Sequence, residues 1–380
     1  MPSLAYLIAI TIIYVKEQSM NGKSIFEMLF ESALPDERKQ TLSSVFSGEK
    51  LPSICYDVIA KHVFSPDLHP ERMDFILQHT MRATDLSVKN SASNEIYLQN
   101  IYSKKTITDI PAWLKDHRLA DLGIQRAAQE FIFDRADIYA SNMLLLQYSA
   151  EAGQIKSDID YTNVDGAIII VLMEHSPRVF KEFDSKRYIH RITKAHADSG
   201  LEFPMLKQMA FVQLDKALEL YMSHSYNGDE DVELLKLFAF MADINNEKLI
   251  HGADTNKLIN EIREDVFKFT RSKEVQQMIL AEDLAIMDWN SNMNLARREG
   301  EAAGETRGIA IGKAQGLNQG IATGQAEIVD LNKWLFSQNR DADVRKATDD
   351  LAYLSSLLEE YKQSHAEHTE KATNNIDPDA

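Results

Sequence analysis

Gly166-Ala167-Ile168-Ile169-Ile170-Val171-Leu172-Met173 is the stretch of this chain that decides its fold. The run after the glycine is apolar throughout and rich in β-branched side chains, which favour strands. It shows no alternation of apolar and polar residues, and this is typical of a central strand covered on both faces. We therefore predict a sheet with helices packed against both of its sides.

Elements on either side of this strand complete an α/β pattern. In chain order, the spacing of apolar residues predicts helices over Ile25–Ala33, Asp36–Phe46, 58–64 and Phe75–Met81, strand pieces at Ile107, Leu119 and Leu122–Ile124, a helix over 126–150, strands over Tyr188–Ala195 and Met209–Leu214, and helices over 231–290. This order predicts an α/β (α+β) fold with a mixed central sheet flanked by helices.

Composition limits the classes of function. The 380-residue chain carries a formal net charge of −17, so its surface as a whole does not attract nucleic acid, and any phosphate contact needs a local basic patch. Cys55 is the single cysteine, which excludes a disulfide framework and a cysteine-rich zinc site. We expect a cytoplasmic protein.

The N-terminus holds an apolar run, Leu4–Val15, that is too short to span a bilayer as a helix. It also lacks the basic start and small-residue cleavage site of a secretory signal. We expect residues 1–19 to be either a leader before a true start at Met20 or an additional strand. No membrane association is expected.

Near the C-terminus, glycine recurs at every fourth position from Gly300 to Gly324, and this series takes seven of the fifteen glycines. In a helix each would cost roughly 1 kcal/mol against alanine. Two interpretations remain open: a helix stabilised by close packing against a partner, as in a homo-oligomer, or a flexible low-complexity linker. Amphipathic helices are predicted over Ala326–Phe336 and Val344–Gln363, and a disordered tail over 364–380.

These patterns divide the chain into segments. The predicted segments are an N-terminal leader and helical part (1–50), a sheet-containing core (51–225), a helical subdomain (226–298), the glycine-repeat and C-terminal helices (299–363) and the tail (364–380).

Three features between residues 108 and 141 carry a family resemblance. Asp109 stands fourteen residues before Gly123-Ile124-Gln125, and Arg135-Ala136-Asp137-Ile138-Tyr139-Ala140-Ser141 follows. An aspartate, a Glu-x-Gln strand and a helix that begins with this heptapeptide occur at this spacing in the PD-(D/E)XK nuclease family transposases, also called recombination-promoting nucleases. The chain resembles that family.

The resemblance extends beyond the motif. Tyr56–Phe64, Val164–Met173, Arg187–Arg191 and Asp198–Pro204 resemble successive segments of the family domain, so the likeness covers roughly residues 55–325. It implies a restriction-endonuclease-like fold, DNA as the partner, and DNA hydrolysis that depends on Mg²⁺ or Mn²⁺. Such hydrolysis needs a divalent cation, which neutralises charge and activates water, and Mg²⁺ prefers carboxylate oxygens.

One position departs from the family. Gly123 stands where the metal-binding glutamate is expected and has no side chain to offer. The resemblance assigns metal binding to Asp109 and the orientation of water or phosphate to Gln125. Asp121 lies on the same strand face, about 7 Å from position 123, and replaces the glutamate only if the backbone shifts. We expect an impaired nuclease or, alternatively, an inactive DNA-binding or helix-mediated assembly protein.

A basic stretch near residues 178–194 is the candidate for DNA contact. Arg178, Lys186, Arg187, Arg191 and Lys194 stand against two acidic residues, Glu182 and Asp184. These cations either grip a phosphate backbone or form a solvated surface.

Overall fold

The computed structural model describes residues 4–92, 95–96, 106–107, 109–128, 131–152, 165–183, 185–226, 231–251 and 256–373. The chain forms two compact units, Met1–Asn290 and Ser291–Ala380. The first contains the sheet and the candidate site, and the second is helical. The division into five segments stays a prediction.

Helices make up much of both units, and most of those in the first unit, though not all, occur where the sequence pattern predicts them. They are α1 (Leu4–Met20), α2 (Ile25–Glu31), α3 (Asp36–Ser47), α4 (Asp57–Val63), α5 (Pro70–Met81), α6 (Ile132–Ala152), α7 (Arg178–Phe183), α8 (Leu214–Ser223), α9 (Val232–Ala242), α10 (Glu247–His251), α11 (Lys257–Thr270), α12 (Lys273–Ser337), α13 (Asp341–Asp349) and α14 (Leu351–Thr373).

The strands build a mixed sheet, as predicted. They are β1 (Val88–Ser91), β2 (Glu95–Ile96), β3 (Thr106–Ile107), β4 (Pro111–Leu114), β5 (Leu119–Gln125), β6 (Ala167–Met173), β7 (Ile189–His196) and β8 (Glu202–Gln213). Six of them lie in the order β1-β4-β5-β6-β8-β7. β5, β6 and β8 run parallel, whereas β1, β4 and β7 pair antiparallel with their neighbours. A separate antiparallel pair joins β2 and β3.

β6 is the central strand and is buried along its whole length. Ile168, Ile170 and Leu172 pack into a core with helices α2–α5, α8, α9, α11 and the start of α12. Ala167 and Ile169, like the other odd-numbered residues, pack into a second core with α6 and α7. The unbroken apolar run therefore contributes side chains to two cores, because side chains alternate between the two faces of a strand.

Close packing just before β6 requires a glycine at position 166. Its φ is +100°, a region that side chains rarely adopt, and a Cβ there would lie 2.8 Å from the Leu206 carbonyl oxygen. Its own carbonyl accepts a hydrogen bond of 2.7 Å from Gln147 Nε2. β6 can therefore approach β8 closely where the parallel ladder begins.

Three expectations about the ends of the chain are corrected. The apolar N-terminal run is a helix, α1, and not an additional strand. Ala326–Phe336 is no separate helix but the end of α12, which holds all seven repeat glycines. The repeat is therefore helical and not a flexible linker, whereas its packing against a partner stays a prediction. The tail predicted to be disordered is helical as far as Thr373, and residues 374–380 lie outside the described residues.

In the part of the chain that the structure describes, every helix is too short or too polar to cross a membrane.

Candidate active site

The predicted site lies on the α6 side of β5. Leu119 belongs to the core under α6, whereas Leu122 belongs to the opposite core. Alternation along the strand therefore directs Asp121, Gly123 and Gln125 toward α6. This places the three predicted positions in one row that ends at the carboxyl end of β5.

Asp109 lies beside Gly123, as the motif requires. It precedes β4, and its Oδ2 accepts a hydrogen bond of 2.8 Å from the Ile124 backbone N–H. A Cβ built on Gly123 would lie 3.6 Å from Asp109 Oδ2 and 3.8 Å from the Ile170 carbonyl oxygen, which are ordinary contact distances. A side chain at position 123 would therefore fit the backbone and begin directly against the Asp109 carboxylate.

Asp121 lies deeper in the sheet. It is 2 % exposed, pairs in register with Pro111, and its Oδ1 accepts a hydrogen bond of 3.1 Å from the Ile110 N–H. Burial, followed by the negative charge of Asp109, raises the pKa of Asp121 to about 7. Burial likewise raises the pKa of Asp109 above its ordinary value, while the charge of Arg135 opposes this shift.

Asp121→Asn is expected to stabilise the protein in alkaline solution. Because the folded pKa of Asp121 is about 7 and its ordinary value is 3.8, the native state holds a proton that the unfolded state releases between these values. Stability is thus lost as pH rises through that window. The amide keeps the bond from Ile110 without a charge, so urea unfolding should show a gain of about 1–3 kcal/mol at about pH 8 and little at about pH 4. A gain that does not depend on pH would contradict this assignment.

Arg135 is a site residue to which the sequence assigned no role. It lies in the first turn of α6, and its Nη1 donates a hydrogen bond of 3.2 Å to Gln125 Oε1. Its guanidinium also lies 5.0 Å from the centre of the Tyr139 ring. A cation therefore orients the Gln125 amide and offsets the charge of Asp109. The spacing of Arg135 and Tyr139, one helical turn apart in the heptapeptide, was the available signal.

The sequence also assigned no role to Asp57 at the start of α4. Asp57 begins this helix and forms an ion pair of 2.8 Å with Lys61. Its backbone N–H donates to Glu282 Oε2 at 2.9 Å. The negative charge of Asp57 adds to the burial that raises the pKa of Asp109. A third carboxylate thus influences the site from another element.

Directly after Gln125, Arg126 is enclosed by three carboxylates. It forms ion pairs of 3.2 Å with Glu174, 2.9 Å with Glu282 and 3.2 Å with Asp283, and its guanidinium lies 3.8 Å from the centre of the Tyr56 ring. We call these five residues the Arg126 network. It ties the end of β5 to the end of β6 and to the start of α12. Burial raises the pKa of Glu282 to about 7, against the opposing charge of Arg126.

The residues present do not complete a metal site. In the described ranges, no group of three or more His, Cys, Asp or Glu side chains is arranged to hold a metal ion. Asp109 and Asp121 each accept a backbone N–H, and Gly123, which follows Asp121 on the row and lies beside Asp109, supplies no oxygen from a side chain. The side chains present therefore lack the metal-binding oxygens that a carboxylate at position 123 would supply.

The predicted DNA-contact residues do not form one uniform patch. Arg178 pairs with Glu182 at 2.5 Å and Lys194 pairs with Glu202 at 2.7 Å, whereas Arg191 Nε donates to the Thr80 carbonyl at the end of α5. Lys186 and Arg187 are exposed between α7 and β7. Lys186 and Arg187 therefore remain the better-placed pair for a phosphate backbone.

Comparison with known proteins agrees with this geometry. A family model described as PD-(D/E)XK nuclease family transposase matches residues 57–296, more than half of the chain. Neither a curated protein nor a solved structure matches this chain. The matched range begins at Asp57 and includes Asp109, Gly123, Gln125 and Arg135. Nucleases of this kind generally use divalent metals. The resemblance is confirmed, and the chain belongs to the PD-(D/E)XK nuclease family transposases.

Proposed function

We propose that this chain acts on DNA and hydrolyses phosphodiester bonds weakly or not at all, because its metal site lacks the glutamate at position 123. The observation that carries the proposal is the missing side chain beside Asp109, where a Cβ at Gly123 would lie 3.6 Å from the carboxylate oxygen. Family membership supports DNA as the substrate.

The proposed roles follow the geometry of the row. Asp109 would supply the remaining carboxylate toward Mg²⁺ or Mn²⁺, and Gln125, held by Arg135, would orient water or a phosphate oxygen. Asp121 is the weaker candidate for a ligand because it is buried and its raised pKa favours the neutral form. A neutral carboxyl is a poor ligand for a divalent ion.

A plasmid-nicking assay with Mg²⁺ or Mn²⁺ tests this proposal. We expect nicking close to background, and any residual activity should disappear in Asp109→Ala. Cleavage by the native chain at rates typical of nucleases, or cleavage that survives Asp109→Ala, would contradict the proposed site.

DNA binding is expected to persist without cleavage and to weaken with salt. The double variant Lys186→Glu/Arg187→Glu should weaken binding to a short duplex about tenfold or more, since it removes two phosphate contacts and adds two repulsive charges. Lys257→Glu/Lys268→Glu on α11 is the control of equal charge change. Equal losses in both variants would show that only net charge matters.

Helix-mediated assembly is the second candidate function. In α12, apart from the adjacent part of the helix itself, no atom of the described residues lies within 4 Å of a Cβ built on the repeat glycines, and Ile309, Ile311, Leu317 and Ile321 are exposed. We propose that a second copy covers this surface. Gly312→Leu/Gly316→Leu should favour the isolated helix by about 1 kcal/mol per site and still dissociate the assembly. Light scattering measures the mass of the assembly in solution. A native chain that is monomeric in this measurement would exclude the proposed assembly.

A further inference from the structure

A cavity of about 310 Å³ lies on the side of the sheet opposite to the candidate active site. It is formed by the end of α5, the start of β7 and the first turn of α9, with Arg82, Arg191, His79 and Asp231 in its wall. Two other lining residues, Tyr188 and Leu234, belong to the core on the α5 side. Asp109, Gly123 and Gln125 have no part in this cavity.

The charged groups in the wall favour an anion. Arg82 and Arg191 bring two guanidinium groups, which are always charged and match phosphate geometry. Among the described residues that line the cavity, Asp231 is the one carboxylate, and it is hydrogen bonded to His79 and accepts the Leu234 N–H at 3.1 Å. In the described part of the wall, two guanidinium groups therefore stand against one carboxylate, in a chain whose formal charge is −17.

Arg82 occupies a backbone position where a side chain is costly. It caps the C-terminus of α5 with φ 57° and ψ 43°, a left-handed conformation in which glycine is usual. Side chains held in such conformations are often associated with binding sites. A purely structural cap would be at least as stable with glycine, so Arg82 is better explained by what its side chain does in the cavity.

We infer that this cavity binds a phosphate monoester. A monoester carries a charge of roughly −1.5 to −2 and three acceptor oxygens, so it can pair with both guanidinium groups, whereas a carboxylate offers two oxygens and one charge. The Gln78 amide and the Thr84 hydroxyl add polar groups to the same wall, and the volume suits a ligand of nucleotide size. This chemistry is found both in a free nucleotide and at the 5′-phosphorylated end of a DNA strand.

The test is titration of the full chain with inorganic phosphate, deoxyadenosine 5′-monophosphate and acetate, followed by calorimetry and thermal shift. We expect both phosphates to bind and acetate to bind at least tenfold more weakly. Arg82→Gly should weaken phosphate binding about tenfold or more, because a charge-assisted contact is lost, with an unchanged or higher melting temperature. Arg82→Lys should fall between Arg82→Gly and the native chain.

Two control variants isolate the effect. His224→Gly changes another left-handed helix cap (φ 51°) outside the cavity, and Lys268→Gln removes an exposed positive charge on α11. Neither should alter phosphate binding. The inference is overturned if neither phosphate binds, if acetate binds equally well, or if Arg82→Gly binds like the native chain.

The source of the phosphate is identified by competition. A 5′-phosphorylated oligonucleotide that displaces the mononucleotide, when the 5′-hydroxyl form does not, supports a DNA end as the ligand. Retained mononucleotide binding without such displacement supports a free nucleotide. Phosphate binding by the cavity does not depend on position 123. A cavity that fails to bind phosphate is therefore distinguishable from a nuclease site that fails to act on DNA.

Discussion

Gly123→Glu is expected to convert this chain into a metal-dependent DNA nuclease. The backbone at Gly123 lies in β5, and a Cβ there would meet Asp109 Oδ2 at 3.6 Å and the Ile170 carbonyl oxygen at 3.8 Å, so the substituted side chain begins without a clash. The introduced carboxylate would face the same side as Gln125. A complete carboxylate pair supplies several kcal/mol of charge stabilisation through its metal, so nicking with Mg²⁺ should rise about 100-fold or more.

Gly123→Gln is the matched control, because it adds nearly the same volume without a charge. It should fold and remain inactive, and Gly123→Glu/Asp109→Asn should lose the gained activity. Without metal, two adjacent carboxylates repel each other, so Gly123→Glu should melt below the native chain. Mg²⁺ should raise its melting temperature through binding to the folded state. A folded Gly123→Glu variant that gains neither Mg²⁺ stabilisation nor nicking would refute the proposed site.

Arg126→Met is expected to be the most destabilising single substitution in the first unit that we predict. The side chains of Arg126, Glu174, Glu282 and Asp283 are only 12 %, 14 %, 6 % and 4 % exposed. Removal of the guanidinium leaves Glu174 and Glu282 without this ion pair, while Asp283 keeps its pair with Arg38, and breaking a buried ion pair typically costs about 3–5 kcal/mol. Urea unfolding at about pH 8 measures this loss. The exposed pair of Arg178 and Glu182 is the comparison, and Arg178→Ala should cost about 0.5 kcal/mol or less.

A second substitution and a pH series show whether charge or packing causes the destabilisation in Arg126→Met. Glu282→Gln in the Arg126→Met background should recover about 1–3 kcal/mol, since it removes one uncompensated charge. Loss of Arg126 raises the folded pKa of Glu282 further above about 7, so its protonated form should dominate at mildly acidic pH. The defect should therefore shrink as pH falls to about 5. A loss that is equal at both pH values and insensitive to Glu282→Gln would indicate packing instead of charge.

The Arg126 network also connects the candidate site to the long helix. Glu282 and Asp283 lie in α12, and Glu282 accepts the Asp57 N–H at the start of α4. Arg126 follows Gln125 directly, so the position of the Gln125 strand end depends on the start of α12. Arg126→Met should therefore lower any activity gained by Gly123→Glu.

Local sequence determined the elements whose formation depends on short-range pattern. The β6 run was identifiable because a strand covered on both faces needs apolar side chains at every position, and α6, β7 and the second half of β8 followed from their own periodicity. The first half of β8, from Glu202, was not predicted, and Leu214 begins α8 instead of ending the strand. The motif spacing also placed Asp109 beside position 123, since residues before β4 and at the end of β5 meet in one antiparallel pair.

Tertiary structure alone decided which distant residues meet and how deeply they are buried. Arg126 and Glu282 are 156 residues apart, and no local pattern records their ion pair. Burial, which sets the raised pKa of Asp121 and Glu282, arises only when the helices close over the sheet. The same holds for the cavity at Arg82, which three separate elements enclose. At Gly123 the sequence revealed a missing carboxylate, and only the fold showed that a Cβ at this position would meet the Asp109 carboxylate at an ordinary contact distance.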